Sequence, residues 1–301
     1  MPDRRCSLLH PLIAVLCLAL PMAANARCLL DDEAPALLAQ WKYSGFATVD
    51  AENRNRRAFE LIDCLDNPDP IRRDEIAFGA LSTWMRGKKL APETLRPLTQ
   101  RLLQQLDGAD AQGFRKPFAA LVLSEVARTD RAQPWMTADE RTRMADAATA
   151  YLHSVRDYRG YIDGEGWRHG VAHGADWAMQ LALNKSLPPA NVMSLLAAVG
   201  TQVMPADGHA YAFGEPGRLA RPVAYAVARG DIEPAATDAW LGNLITSLGS
   251  RPENNHQAIW WERRANLENF LHALAYLANG GTSPAATALA ASVLATLQKL
   301  P

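Results

Sequence analysis

The chain has 301 residues, of which 49% are hydrophobic and 21% are charged. Its 31 Lys and Arg residues nearly balance its 32 Asp and Glu residues, which leaves a formal net charge of −1. A near-neutral chain without a basic block lacks the electrostatic footprint of a protein that binds nucleic acid or an anionic membrane. Neither partner is therefore expected, and the composition is that of an ordinary globular protein.

The first 26 residues have the three parts of an export signal. Arg4 and Arg5 form a positive start, residues 12–20 form an apolar core, and residues 24–26 read Ala-Asn-Ala, an A-x-A cleavage pattern. The apolar core is shorter than the roughly 20 residues that span a bilayer as a helix, and no later stretch is long and uncharged enough. The sequence thus predicts an exported protein, periplasmic or secreted, without a transmembrane segment in the mature chain.

Two cysteines, Cys28 and Cys64, remain after removal of this signal. In an oxidising compartment an even pair of cysteines readily forms a disulfide. A bridge over this interval would stabilise the fold by about 3 to 4 kcal/mol in the chain-entropy model. The alternative is a pair of unbonded, buried thiols.

Helical periodicity dominates the remaining chain, which we expect to form a single all-α domain over residues 27–301. Apolar residues recur at intervals of three and four residues in twelve segments: 34–43, 54–65, 71–86, 92–106, 114–128, 138–155, 167–183, 190–203, 215–228, 235–248, 260–278 and 283–297. Thr137 and Glu140 form a capping-box pattern, and Pro189 is placed to open a helix. Helices of this length with short links predict antiparallel helical hairpins in an α-solenoid, HEAT-like or α/α-superhelix array.

The most informative segment is 166–176, which reads GWRHGVAHGAD. If this segment is helical, His169, His173 and Asp176 share one face, since a turn takes about 3.6 residues. Such a group could bind Zn²⁺ with an open position for water, or transfer protons without a metal. It could equally be a hydrogen-bonded polar network that only stabilises the fold. The residues between the histidines include no glutamate, which excludes the H-E-x-x-H metalloprotease pattern.

Gly170 and Gly174 interrupt the same segment, and each costs about 1 kcal/mol in a helix relative to alanine. We therefore expect another part of the chain to approach the helix backbone there.

Two loops, 157–166 and 205–214, interrupt the helical pattern and are rich in glycine, aspartate and aromatic residues. Loops of this kind often carry function, and we expect residues 156–161, at the start of the first loop, to border a polar pocket centred on His169, His173 and Asp176. The remaining pocket candidates are Arg156, Asp157, Arg159, Tyr161, Trp167, Glu215 and Arg218. An arginine in the first loop could bind a carboxylate or phosphate, or Arg159 or Asp157 could instead anchor the loop through a salt bridge.

The second loop and the helix after it suggest further contacts. Glu215 and Arg218 could form a local ion pair at a helix start. If that helix packs against segment 167–183, Glu215 or His209 would become a further ligand or base.

Aromatic and basic residues near the last helices predict either a ligand groove or a core with a polar rim. They are His256, Trp260, Trp261, Arg263, Arg264 and Asn266. The sequence lacks G-x-S-x-G, a phosphate-binding glycine loop and a dinucleotide fingerprint, which argues against several enzyme classes.

Five segments resemble a bacterial family, the domain of unknown function 2785. They are RDEIAFGAL, FRKPFAALVL, YLHSVRDYRGY followed by GWRHGVAHGAD, GEPGRLA and NLENFLHAL, all between residues 73 and 277. The specificity of the resemblance rests on the RGY…GWxHxxxHxxD block. The resemblance implies a family membership but no activity, cofactor or mechanism, and an export signal departs from what we expect of a typical member.

Two functional hypotheses follow. The first is a binding or interaction module for a protein, a peptide or an envelope component. The second is a metal-assisted hydrolase or lyase that uses His169, His173 and Asp176.

Overall fold

The computed structural model describes residues 28–48, 50–253 and 257–301. The predicted export signal and His256 lie outside these residues. Within them, twelve α-helices account for nearly all of the regular structure, and the predicted all-α helical array is confirmed. The helices are α1 (Pro35–Tyr43), α2 (Ala51–Ile62), α3 (Gly79–Arg86), α4 (Pro92–Gln104), α5 (Arg115–Ala132), α6 (Ala138–Ser154), α7 (Gly170–Ala182), α8 (Pro189–Val203), α9 (Glu215–Ala228), α10 (Pro234–Leu248), α11 (Ala258–Asn279) and α12 (Pro284–Leu297).

Local sequence explains where several helices begin. The predicted capping box precedes α6, where the Thr137 side chain accepts from the Glu140 N–H at 3.2 Å and Glu140 accepts from the Thr137 N–H at 2.7 Å. Asp50 caps α2 in the same way by accepting from Asn53. These side chains bond backbone N–H groups that the first turn of a helix leaves without partners.

The predicted helix 71–86 consists of two different elements. Residues Ile71–Phe78 form a π-helix, and α3 continues directly from Gly79. The apolar spacing of a short segment does not distinguish the wider π turn from the α turn, because both bury one face.

The predicted helix 167–183 begins later than expected, at Gly170. Trp167 instead belongs to a short antiparallel hairpin in which β1 (Tyr161–Ile162) pairs with β2 (Gly166–Trp167). His169 follows the hairpin in a left-handed conformation, with φ of 53°. The expectation that His169 and His173 lie on one helix is therefore wrong, since His169 precedes the first turn.

The helices pack in two rows. One row runs through α3, α5, α7, α9 and α11, each packed against the next, and the other contains the successive pairs α2–α4, α6–α8 and α10–α12. Contacts between α4 and α5, α6 and α7, α8 and α9, and α11 and α12 join the rows. Buried apolar side chains form one connected core that extends from Cys28 to Val293.

Helix α7 lies at the centre of the array, and its two glycines permit a close helix–helix contact, as predicted. A Cβ atom at Gly174 would lie 2.7 Å from Leu152 and 2.9 Å from the Tyr151 ring, both on α6. The Tyr151 hydroxyl donates to the Gly170 carbonyl at 3.1 Å. The glycines therefore let α6 pack directly on the α7 backbone.

The Cys28–Cys64 disulfide is confirmed, with a Cα–Cα distance of 4.7 Å. It joins the segment that precedes α1 to the turn that follows α2. Among the described residues, none of the helices is both long enough and apolar enough to cross a membrane.

Candidate functional site

His169 is held between a hairpin and two helices. Its backbone N–H donates to the Arg159 carbonyl at 3.0 Å, and its ring stacks on Trp167 with a centroid distance of 4.7 Å. The left-handed backbone is unusual for a residue with a Cβ atom. The hairpin contacts thus fix the histidine at the entry to α7 in one orientation.

The partner of His169 is Glu215, the first residue of α9. The His169 Nε2 lies 3.3 Å from the Glu215 Oε1, and both side chains are buried. Burial alone would raise the pKa of Glu215, but the contact with His169 and backbone N–H groups, including that of Phe213, bring this pKa below its usual value. Glu215 is therefore an ionised carboxylate enclosed by donors.

His173 lies one turn into α7, and its ring forms a hydrogen bond with the backbone of Pro117. Its Nδ1 lies 3.1 Å from the Pro117 carbonyl, so that Nδ1 is the protonated donor. Its ring packs edge-on against Phe118. Burial, and then the nearby His169 and Arg218, hold the pKa of His173 well below its ordinary value. His173 is consequently a neutral, buried hydrogen-bond donor.

Asp176, one turn further along α7, forms an ion pair with Arg218 of α9. Burial raises the pKa of Asp176, and Arg218 and Arg221 oppose that shift. A second buried carboxylate, Glu125 of α5, pairs with Arg86 at the end of α3. The local Glu215–Arg218 pair that the spacing suggested does not form, because each residue has a partner on α7 or at its entry.

We refer to His169, His173, Asp176, Glu215 and Arg218 as the central site. Within the described ranges, no group of three or more His, Cys, Asp and Glu side chains has an arrangement that could hold a metal ion. Each of the three predicted ligands contacts a protein partner: Glu215 for His169, the Pro117 carbonyl for His173, and Arg218 for Asp176. No contact in the site favours the metal hypothesis, which stays a prediction.

An aromatic surface made of Tyr161, Trp167 and Phe213 covers the central site. Trp167 contacts Tyr161 and Phe213 edge-on, with centroid distances of 5.1 and 6.0 Å. Tyr161 and Phe213 are 43% and 44% exposed, although each is a large apolar ring. The Phe213 ring packs on Gly160, where a Cβ atom would lie only 2.1 Å from it. Three rings from a hairpin and a loop thus lie beside one another, and two of them, Tyr161 and Phe213, are open to solvent.

Arg156 and Arg159, at the start of the first loop, form hydrogen bonds within the protein. Arg159 donates to Asp157 at 2.8 Å, so the two residues that could each have anchored the loop by a salt bridge are paired with each other. Arg156 donates to the carbonyls of His153 and Val155, at the end of α6. The structure therefore brings Tyr161 and Trp167 to the central site but directs Arg156 elsewhere.

The second loop is fixed by α11. Asn266 donates to the His209 carbonyl at 2.6 Å and accepts from the Tyr211 N–H at 2.9 Å. His209 stacks on Tyr158 and contacts Tyr211, so it does not join Glu215 beside His169. This loop also carries Phe213, which sequence reasoning did not single out.

Residues near the last helices form a core and a rim, as the second of the two interpretations proposed. Trp260 is buried and packs edge-on against Trp261. Arg263 donates to the Ser247 carbonyl, and Arg264 to that of Pro301. Asn266 is buried and holds the second loop.

Sequence reasoning also missed Arg73, a fully buried arginine of the π-helix. Its guanidinium lies 3.8 Å from the centroid of Phe114 and donates to the Glu165 carbonyl in the hairpin turn at 2.8 Å. Burial lowers the pKa of Arg73, and the adjacent Asp74 opposes that shift. Arg73 therefore holds the hairpin on the array, a role that its position in an amphipathic pattern does not reveal.

The fold and the site define an all-α helical-array protein with a buried polar centre beneath exposed aromatic rings. Residues 98–276 match the family described as "Protein of unknown function (DUF2785)", which is more than half of the chain. The chain therefore belongs to the DUF2785 family, as the sequence motifs indicated. No curated protein and no solved structure matches it.

Proposed function

We propose that the protein is a binding module that recognises a protein or peptide through the aromatic surface of Tyr161, Trp167 and Phe213. The observation that carries this proposal is the exposure of Tyr161 and Phe213, whose rings both contact the partly buried Trp167. Exposed aromatic groups of this kind are typical of interaction sites, where tyrosine, tryptophan and arginine supply much of the binding energy.

The central site supports this surface from below. His169 stacks on Trp167 and its Nε2 lies 3.3 Å from Glu215, whose second oxygen accepts from the Phe213 N–H at 2.9 Å. One histidine–carboxylate pair thus connects the hairpin to the loop. In this proposal the pair positions the aromatic rings and performs no chemistry, and no contact favours the alternative of a metal-assisted hydrolase or lyase.

Site-specific photocrosslinking tests the proposal. A photoreactive phenylalanine analogue at position 161 should capture a discrete partner in the native cell extract, and the analogue at Tyr43 should not. Tyr43 is a matched control because it is 95% exposed but lies on α1, away from the site. The captured protein, once purified, should bind the wild-type chain and lose at least about tenfold in affinity for Phe213→Ala, since truncating an aromatic hot spot costs about 2 kcal/mol or more and about 1.4 kcal/mol is tenfold. Equal capture at both positions, or unchanged binding by Phe213→Ala, would contradict it.

We also propose that the protein acts outside the cytoplasm, in the periplasm or after secretion. The charged, apolar and A-x-A parts of residues 1–26 and the disulfide support this location. Mass spectrometry of the tagged protein from fractionated cells should find a chain that begins at Arg27 in the exported fraction. Intact Met1 in the cytoplasmic fraction would argue against export.

A further inference from the structure

A cleft of about 400 Å³, separate from the central site, lies between the end of α3, the start of α4 and the end of α5. Its apolar wall includes Met85, Leu90 and Leu95, all of which are buried. The size falls within the range of small-molecule sites, which combine an apolar wall with a few polar groups.

The charged groups that line this cleft are all positive. They are Arg86, Lys88 and Arg128, and no carboxylate is among the lining residues. Arg86 is paired with Glu125, but neither Lys88 nor Arg128 has a carboxylate partner in the part of the chain that the structure describes. Two cations without partners therefore face an apolar cleft.

We infer that this cleft binds a small amphipathic carboxylate, with its apolar chain against Met85, Leu90 and Leu95 and its carboxylate between Lys88 and Arg128. A neutral apolar ligand would leave the two cations unused. A small hydrophilic anion would gain nothing from the buried apolar wall. The combination of wall and cations matches a ligand that has both parts, such as a medium-chain fatty acid.

Isothermal titration calorimetry with decanoate tests the inference, with decanol as the neutral probe of the same chain length. Wild-type protein should bind decanoate saturably at one site and bind decanol at least about tenfold more weakly, as expected for loss of a charge-assisted contact. Arg128→Gln and Lys88→Gln should each weaken decanoate binding by a similar factor.

Two further variants complete the test. Lys89→Gln removes an equal charge from the residue next to Lys88, outside the cleft lining, and should leave binding unchanged. Ala132→Trp places a ring in the cleft from an exposed position and should abolish binding while circular dichroism shows a folded chain. The inference is overturned if wild-type protein shows no saturable binding. It is also overturned if decanol binds as well as decanoate, or if the Arg128→Gln and Ala132→Trp proteins bind like wild type.

Discussion

At the scale of single residues, the neutral state of His173 is the feature with the clearest measurable consequence. The side chain is buried, its Nδ1–H is bonded to the Pro117 carbonyl, and Arg218 and His169 disfavour a positive charge on it. In the unfolded chain the same histidine titrates near pH 6.5. Between that pH and the lower pKa of the folded state, the unfolded chain therefore binds more protons.

The first prediction concerns acid sensitivity. The free energy of unfolding should fall as pH decreases below about 6.5, by up to about 1.4 kcal/mol per pH unit from this group. His173→Asn retains a donor for the Pro117 carbonyl but cannot be protonated in this range, so its stability should depend less on pH between 6.5 and 5. Urea unfolding at a series of pH values measures both slopes.

The matched control is His153→Asn, which removes an exposed histidine of α6. It should leave the pH slope as in wild type. Because loss of the His173 ring also removes packing, the comparison rests on the slopes and not on the absolute stabilities. Equal slopes of unfolding free energy against pH in wild type and His173→Asn would show that protonation of His173 does not cause the loss of stability in acid.

Sequence reasoning located His169, His173 and Asp176 but not their partners. Glu215 and Arg218 were named as candidates, yet they pair with α7 and its entry instead of with each other, because the packing of α9 on α7 offers buried partners. Such pairs depend on which helices become neighbours, and the spacing of residues along one helix does not determine that.

At the scale of elements, α7 combines central burial with two glycines. Its neighbour α6 approaches so closely that side chains of Tyr151 and Leu152 occupy the space of a Cβ atom at Gly174. In an exposed helix, replacing glycine with alanine usually stabilises the fold, because alanine restricts the unfolded chain. Overpacking at a buried glycine and the stabilising restriction of the unfolded chain can be separated by comparing a glycine of α7 with an exposed glycine of another helix.

The second prediction is that Gly174→Ala destabilises the protein by about 1 to 3 kcal/mol, through overpacking. Gly242→Ala, on the exposed side of α10 where the new Cβ meets nothing within 4 Å, should stabilise it by about 0.5 to 1 kcal/mol. Thermal and urea denaturation give both changes. A stabilised Gly174→Ala protein would mean that α6 and α7 are further apart than described.

Periodicity predicted all twelve α-helices of the described residues, and the capping box at Thr137 predicted one helix start to the residue. It did not predict the π-helix at Ile71–Phe78 or the hairpin before α7. The hairpin has only two residues in each strand, which is too short for an alternating pattern. Its formation depends on tertiary contacts such as that between Arg73 and Glu165.

At the scale of the whole molecule, we propose that residues 27–301 form one folding unit. The connected core and the disulfide support this proposal. Each helix of the central row contacts the next, and the bridge joins α2 to the beginning of the described chain. A core without a break favours cooperative unfolding.

The third prediction is that circular dichroism and tryptophan fluorescence follow a single, coincident urea transition. Cys28→Ser/Cys64→Ser should move that transition to lower urea, with a loss of about 3 to 4 kcal/mol for the 36-residue separation in the chain-entropy model. A reductant should reproduce the shift in wild type and have no effect on the double variant. Two separate transitions would divide the chain into independent units.

The hydrogen bonds between Asn266 and the second loop, which carries Phe213, affect how variants of this protein should be interpreted. Asn266 lies on α11, and its side chain bonds the backbone at His209 and Tyr211. A substitution at this buried position would release the loop and displace a ring of the aromatic surface. In a mutational screen for the proposed partner, Asn266 would score as a recognition residue although its side chain is buried, and only a structural measurement on the loop would reveal the indirect cause.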